Sequence, residues 1–234
     1  GIRMPILRNY AENIVKIRRY NEYLVDEATD EYLEETLLRG LIIGYGTLRE
    51  KEDVVISLEM LDEYLPLIDN WMICDTFCNT FKIASFPEYR EEVLNHIIFF
   101  LQFGSEYAER TAFILYLNQL LKYDSDGNKL NRLKTVTLKD IESTERESSM
   151  LDKFLPFALK DLDGRFYSQM GAAWFLAEAF NVYPDKIWSL LKSGKNMGVD
   201  KKTYSLTLRK IIESRVPSKE VKELIKELRL SEAD

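Results

Sequence analysis

Two residues four positions apart are the first candidates for chemistry in this sequence. Trp71 and Asp75 lie in a segment, residues 69–78, whose apolar spacing predicts a helix. Positions i and i+4 share one face of a helix, so an indole ring and a carboxylate would lie side by side. A carboxylate one turn into a largely apolar helix is unusual, because burying an unpaired charge is costly. Asp75 is therefore a candidate for a functional carboxylate. The ordinary alternatives are that Asp75 caps a helix and that Trp71 is a core residue.

Two further residues could act with this pair. Trp174 ends the segment 166–174, which also has helical spacing, and Arg110 lies early in a segment whose later residues are apolar. Each has an ordinary reading as well, since Trp is a common core residue and Arg is usually solvated. His96 is the only histidine, so Ser–His and Cys–His catalytic centres are poorly supported and a helix-face or core position is favoured. Cys74 and Cys78 lack the partners of a zinc site and are expected to be reduced thiols on one helix face.

The segments that must position these residues have the spacing of helices, and the alternating pattern of strands is nearly absent from the sequence. Pro5 opens the first helix, Asp30 is expected to cap a helix over 31–39, and Asp69 or Asn70 caps one that reaches Phe81. Gly40, Gly44 and Gly46 are expected to loosen or interrupt the pattern. Further helices are predicted at about 54–65, 88–103, 105–123, 149–159, 166–180, 184–191, 200–214 and 218–230.

About ten helices joined by short turns predict an all-α fold, an α-solenoid of antiparallel HEAT-like helix pairs forming an α–α superhelix. A compact helical bundle is the alternative architecture. We predict a single domain over residues 1–234, with a polar, partly ordered insertion at about 124–148. Residues 124–128 are similar to a calcium loop, but they lack its further ligands and closing Glu, so a plain turn is favoured.

Composition limits the possible function classes. No apolar run reaches the roughly 18 residues of a membrane span, the first residues form no signal peptide, and the two cysteines suit a reducing compartment. These features predict a cytoplasmic protein with no membrane contact. The net charge of −7 is unevenly distributed, because residues 1–23 carry +3, residues 186–229 carry +7 and the segment between them is near −15. The basic ends could bind phosphates locally, or they could be solvated helix faces.

Four motifs in order resemble the AlkD-like DNA alkylation repair proteins, a family of HEAT-like repeat alkylpurine DNA glycosylases. The first is a Gly-Ile-x-x-Pro-x-x-Arg opening over residues 1–8, and the second is Trp71-x-x-x-Asp75. The third is Arg110 before a small and apolar run, and the fourth is Trp174 at the end of a Tyr-x-Gln-Met-x-x-Ala-Trp stretch. Residues 210–215 are also similar to the family's C-terminal helical repeat.

The resemblance implies a monofunctional DNA glycosylase, a hydrolase that releases cationic purines such as N3-methyladenine and N7-methylguanine from duplex DNA without a cofactor or metal. Trp71 and Trp174 would frame the damaged nucleotide by cation–π attraction, and Asp75 would stabilise the positive sugar and orient water. Arg110 would contact a phosphate of a groove-bound duplex, and the protein would act as a monomer. Further DNA contacts are predicted at basic residues of the two ends: Arg3, Arg8, Lys201, Lys202 and Arg209.

The sequence also departs from the family's pattern. Met170 and Ala177 stand where active relatives tend to have basic side chains, and the 124–148 insertion is longer than the usual loop. The family's N-terminal helices precede the Gly-Ile-x-x-Pro segment at which this sequence begins. Relatives without part of that region can keep the fold and lose glycosylase activity. A non-catalytic HEAT-like scaffold that binds DNA or protein therefore remains the alternative function.

Overall fold

The computed structural model describes residues 1–17, 20–24, 30–124, 127–130, 133–143 and 149–231. Contacts divide the chain into two compact units, residues 1–96 and 97–234. In the first unit the helices are α1 (Met4–Lys16), α2 (Tyr20–Glu22), α3 (Leu33–Glu50), α4 (Val54–Tyr64), α5 (Trp71–Thr80) and the start of α6 (Arg90–Phe103). Helix α3 packs against both α1 and α5, so alternate helices form one layer of the unit.

Close packing explains why α3 continues through its glycines, against the prediction that they would interrupt it. A Cβ atom on Gly40 would lie 2.4 Å from the hydroxyl oxygen of Tyr64, and one on Gly44 would lie 2.8 Å from the backbone of Thr80. Tyr64 is buried and donates a 2.8 Å hydrogen bond to the Thr36 carbonyl of α3. The glycines therefore let neighbouring segments approach the helix backbone, and this gain outweighs their low helix propensity.

The second unit contains the rest of α6 and α7 (Glu106–Leu115), α8 (Leu138–Glu142), α9 (Ser149–Ala158), α10 (Phe166–Val182), α11 (Pro184–Lys192), α12 (Lys201–Glu213) and α13 (Lys219–Ser231). Helix α10 packs against α7 on one side and α12 on the other, which repeats the layering seen around α3. Helix α7 runs directly into a π-helical turn, Tyr116–Leu120.

An aromatic cluster forms the core between α7, α9 and α10. The ring of Phe154 stacks on Tyr116 with centroids 4.1 Å apart and meets Phe175 edge-on at 5.1 Å. Phe113 packs against both Phe154 and Phe175, and all four side chains are buried. Such contacts bury 150–250 Å² for each ring, so they fix α10 relative to α7 and α9.

The predicted all-α, HEAT-like arrangement is confirmed. In the described ranges no β-strand forms, and only isolated bridges join Tyr123 to Lys129 and Val136 to Pro217. The predicted insertion contains the short α8, while residues 125–126, 131–132 and 144–148 of it, with part of the calcium-like turn, lie outside the described residues. The single-domain assignment stays a prediction. Among the described helices, none has the length and hydropathy that crossing a membrane requires.

Candidate functional site

The start of α5 is fixed by the residue before it. The side chain of Asn70 accepts hydrogen bonds from the backbone N–H groups of Met72 and Ile73, at 3.0 and 3.1 Å, and so caps the helix. Asp75 therefore does not cap α5, which removes the structural alternative considered for it. The cap fixes where α5 begins, and the i+4 spacing then places Trp71 and Asp75 on the same side of the helix.

Trp71 and Asp75 lie on the outer face of α5. Ile73 and Phe77 are buried on the opposite side, and Cys74 and Cys78 are also buried and do not form a disulfide. Trp71 is 56% exposed, Asp75 is half-buried and Asn79, a further turn along, is exposed.

A side chain as apolar as an indole stabilises the protein by burial, and an exposed Trp beside a carboxylate contributes little to the core. An exposed indole next to a carboxylate suits a ligand that is both flat and positively charged.

The other predicted site residues of the first unit lie on α1. Arg3 is exposed at the position before the helix, and Arg8 is half-buried with its Nη1 atom 3.3 Å from the hydroxyl oxygen of Tyr45. His96 is bound to Asp62, with 2.8 Å between Nε2 and Oδ1. In the part of the chain that the structure describes, no three His, Cys, Asp or Glu side chains come together as a metal site would require.

Arg110, in the second unit, is buried and makes its contacts within the protein. It is only 6% exposed, and its Nη1 atom donates a 3.2 Å hydrogen bond to the Tyr167 carbonyl at the start of α10. Gly171 of α10 packs beside this side chain, where a Cβ atom would lie at an ordinary contact distance of 3.4 Å from the Cγ of Arg110. The guanidinium therefore joins α7 to α10, and the predicted phosphate contact through Arg110 stays a prediction.

A buried charge cluster adjoins Arg110. The Oε1 atom of Glu109, which is 1% exposed, accepts hydrogen bonds from Lys160 Nζ and Arg165 Nη1, both at 2.7 Å. Lys160 also donates to the Leu101 carbonyl. Two cations around one buried carboxylate fix the turn before α10, since each charge is compensated where water is scarce.

Trp174 is half-buried on α10 and already has a cation over its ring. The Nζ atom of Lys210 on α12 lies 5.9 Å from the indole centroid. Trp174 also lines a cavity of about 280 Å³ together with Leu117, Asn118, Leu121, Lys122, Leu130, Glu178 and Val182. Trp174 and Glu178 are four positions apart, so α10 repeats the indole–carboxylate spacing of α5.

Helix α12 presents the remaining predicted DNA contacts. Lys201, Lys202 and Arg209 are exposed, and Arg209 Nε donates a 2.7 Å hydrogen bond to Glu213. Asp200 caps the helix. Burial raises the pKa of this carboxyl, but hydrogen bonds from Thr203, the Leu162 N–H and Gln169 outweigh burial and hold the pKa below its usual value.

In the first unit the structure places Trp71 and Asp75 on one face of α5, as their spacing predicts. In the second unit Arg110 joins α7 to α10, and Trp174 contacts Lys210 of α12. Lys210 and Glu178 were not predicted as site residues. The i+4 spacing of Trp174 and Glu178 could have identified the carboxylate, but only tertiary structure places Lys210 on the indole.

Comparison with known proteins agrees with the motifs. The family model described as DNA alkylation repair enzyme matches residues 1–197, which is most of the chain. No curated protein and no solved structure matches the sequence. The chain belongs to the DNA alkylation repair enzyme family.

Proposed function

We propose that this member of the DNA alkylation repair family is a monofunctional DNA glycosylase. It hydrolyses the N-glycosidic bond of cationic alkylpurines, N3-methyladenine and N7-methylguanine, in duplex DNA. The observation that supports the proposal best is the outward-facing pair of Trp71 and Asp75 on α5, in a chain of that family. An exposed indole one turn from a carboxylate suits a substrate whose charge is positive before and during the reaction.

The chemistry follows from the charge of the damaged base. Alkylation makes the purine cationic, so the electron pair of the bond between C1′ and the purine nitrogen neutralises the ring as the bond breaks. The base leaves without a general acid, and no cofactor is needed. C1′ becomes a positively charged, oxocarbenium-like centre, which water attacks and then loses a proton to give an abasic site.

Asp75 has two roles in this reaction. Its negative charge stabilises the sugar cation, and its oxygens orient the attacking water and accept its proton. The indole of Trp71 attracts the cationic base in the ground state and the positive sugar later, by about 0.5–2 kcal/mol. Trp174 has the same predicted role in the second unit, where Arg110 and the basic residues of α12 are predicted to contact phosphates.

The test is release of free base from duplex DNA that contains N7-methylguanine. Asp75→Asn should lower the single-turnover rate by about 10²- to 10³-fold and leave DNA affinity nearly unchanged, because the carboxylate interacts most strongly with charge that develops in the transition state. Trp71→Ala and Trp174→Ala should weaken binding of the lesion as well as the rate. Glu63→Gln, which neutralises an exposed carboxylate on α4, is the matched control and should behave as wild type. Near-wild-type release by Asp75→Asn would refute the role of Asp75.

A non-catalytic DNA-binding scaffold is the second candidate. The burial of Arg110 favours it, because a guanidinium that holds the Tyr167 carbonyl is not available as an exposed phosphate ligand. Duplex binding by the wild type with no release of base over many hours would support this candidate and overturn the glycosylase proposal.

A further inference from the structure

Two lysines of α12 lie over aromatic rings of α10. The Nζ atom of Lys202 is 4.8 Å from the ring centroid of Phe166, and that of Lys210 is 5.9 Å from the ring centroid of Trp174. Both distances fall within the roughly 6 Å over which a ring face attracts a cation. Each ammonium group is therefore held by a ring while keeping its charge.

The two pairs occur in register. Phe166 and Trp174 are eight residues apart on α10, and Lys202 and Lys210 are eight residues apart on α12. The two helices therefore run in the same direction along this contact. At about 1.5 Å per residue, the second pair lies about 12 Å from the first.

Exposure and charge distinguish this surface from an ordinary helix contact. Phe166 is 47% exposed and Lys202 is exposed, so neither side chain serves mainly as core. Lys201 and Arg209 add positive charge along the same helix, although Arg209 is paired with Glu213. A ring that restrains a lysine reduces the side-chain entropy lost when the ammonium group binds an anion.

We propose that these four residues, Phe166, Trp174, Lys202 and Lys210, form a ridge that binds the phosphates of duplex DNA. The ridge rests on DNA being the substrate of the proposed function, but it does not require base release. Two ammonium groups about 12 Å apart can each contact a different phosphate of the duplex. In this arrangement the indole of Trp174 acts on DNA through Lys210 as well as directly. The ridge extends onto α12, beyond the residues that the family model matches.

The test is the salt dependence of binding to an undamaged duplex, measured by fluorescence anisotropy. Each phosphate contact contributes about 0.9 to the slope of log affinity against log salt concentration. Lys202→Met and Lys210→Met should each reduce the slope by about 0.9, and the double variant by about 1.8. Phe166→Leu keeps both charges, so it should leave the slope unchanged while weakening affinity about two- to five-fold. Lys139→Met, at an exposed lysine of α8, is the control and should change neither quantity.

Circular dichroism and urea unfolding establish that the variants are folded. Wild-type slopes in both lysine variants, or wild-type affinity in Phe166→Leu, would overturn the ridge. The outcome is separable from that of the proposed function. Slopes that change in a protein that releases no methylguanine would support the ridge and refute the glycosylase, whereas unchanged slopes with normal release would do the reverse.

Discussion

Glu109→Gln tests how much the buried charge cluster stabilises the second unit. The substitution keeps the shape of the side chain and removes the negative charge that Lys160 and Arg165 share, each at 2.7 Å from Oε1. Charge-assisted hydrogen bonds contribute about 1.5–3 kcal/mol and neutral ones about 0.5–1.5 kcal/mol, so each of the two bonds should lose about 1–1.5 kcal/mol. We expect the free energy of unfolding to fall by about 2–3 kcal/mol. This is less than the loss of about 3–5 kcal/mol on breaking a fully buried pair, because Lys160 and Arg165 remain partly exposed to water.

Glu223→Gln provides a matched control on α13. Glu223 and Lys226 form an ion pair with the same 2.7 Å separation, but both side chains are at least half exposed. The expected loss is below about 0.5 kcal/mol. Urea unfolding of both variants, repeated in about 1 M NaCl, measures the difference, and salt should not remove the effect at Glu109 because its surroundings exclude ions. Equal losses for the two variants would refute the argument that burial makes the Glu109 cluster strong.

Two further predictions concern stability. Gly40→Ala gains about 1 kcal/mol of helix propensity, but its Cβ atom would lie 2.4 Å from the Tyr64 hydroxyl, and overpacking of this kind costs about 1–3 kcal/mol. Urea unfolding should therefore show a net loss, and a gain would mean that Tyr64 moves aside without cost. Burial raises the pKa of Asp200 in the folded state, but hydrogen bonds from Thr203, Leu162 and Gln169 outweigh burial and lower it. The ionised carboxylate therefore stabilises the fold fully above the unfolded pKa of about 3.9, and this stabilisation disappears as the pH falls through the folded pKa. Asp200→Asn should reduce the loss of stability between pH 5 and 3, and an unchanged acid limb would contradict this.

Local signals predicted the helix starts well. Pro5 lies in the first turn of α1, as predicted, and Asn70 accepts hydrogen bonds from the N–H groups two and three residues after it, so both signals act close to their position in the sequence. The predicted cap at Asp30 is wrong. That residue has a φ of 56° and accepts a hydrogen bond from Arg39, and the helix begins at Leu33. The Asp30 side chain instead pairs with Arg39, nine residues away, and local propensity does not predict such a contact.

The candidate site likewise has features that the sequence predicts and contacts that it does not. The i+4 rule predicts that Trp71 and Asp75 share a face, and the Asn70 cap confirms their place on α5. Glu109 meets Lys160 and Arg165 across more than fifty positions of sequence, and Lys210 meets Trp174 across thirty-six. Such contacts depend on how α7, α10 and α12 pack, which periodicity does not specify. The burial of Arg110 was missed for the same reason.

The π-helical turn at Tyr116–Leu120 acts as a one-residue insertion in a helix that is otherwise regular. Deleting Asn118 would return the segment to α-helical spacing and rotate everything after it by about 100° relative to the part before it. Leu121 and Lys122, which line the cavity beside Trp174, would turn away from it, while Phe113 would keep its place in the aromatic core. The turn therefore sets the rotation of the cavity wall relative to the core, so deleting this single residue would remove Asn118 from the wall and redirect the wall residues that follow it.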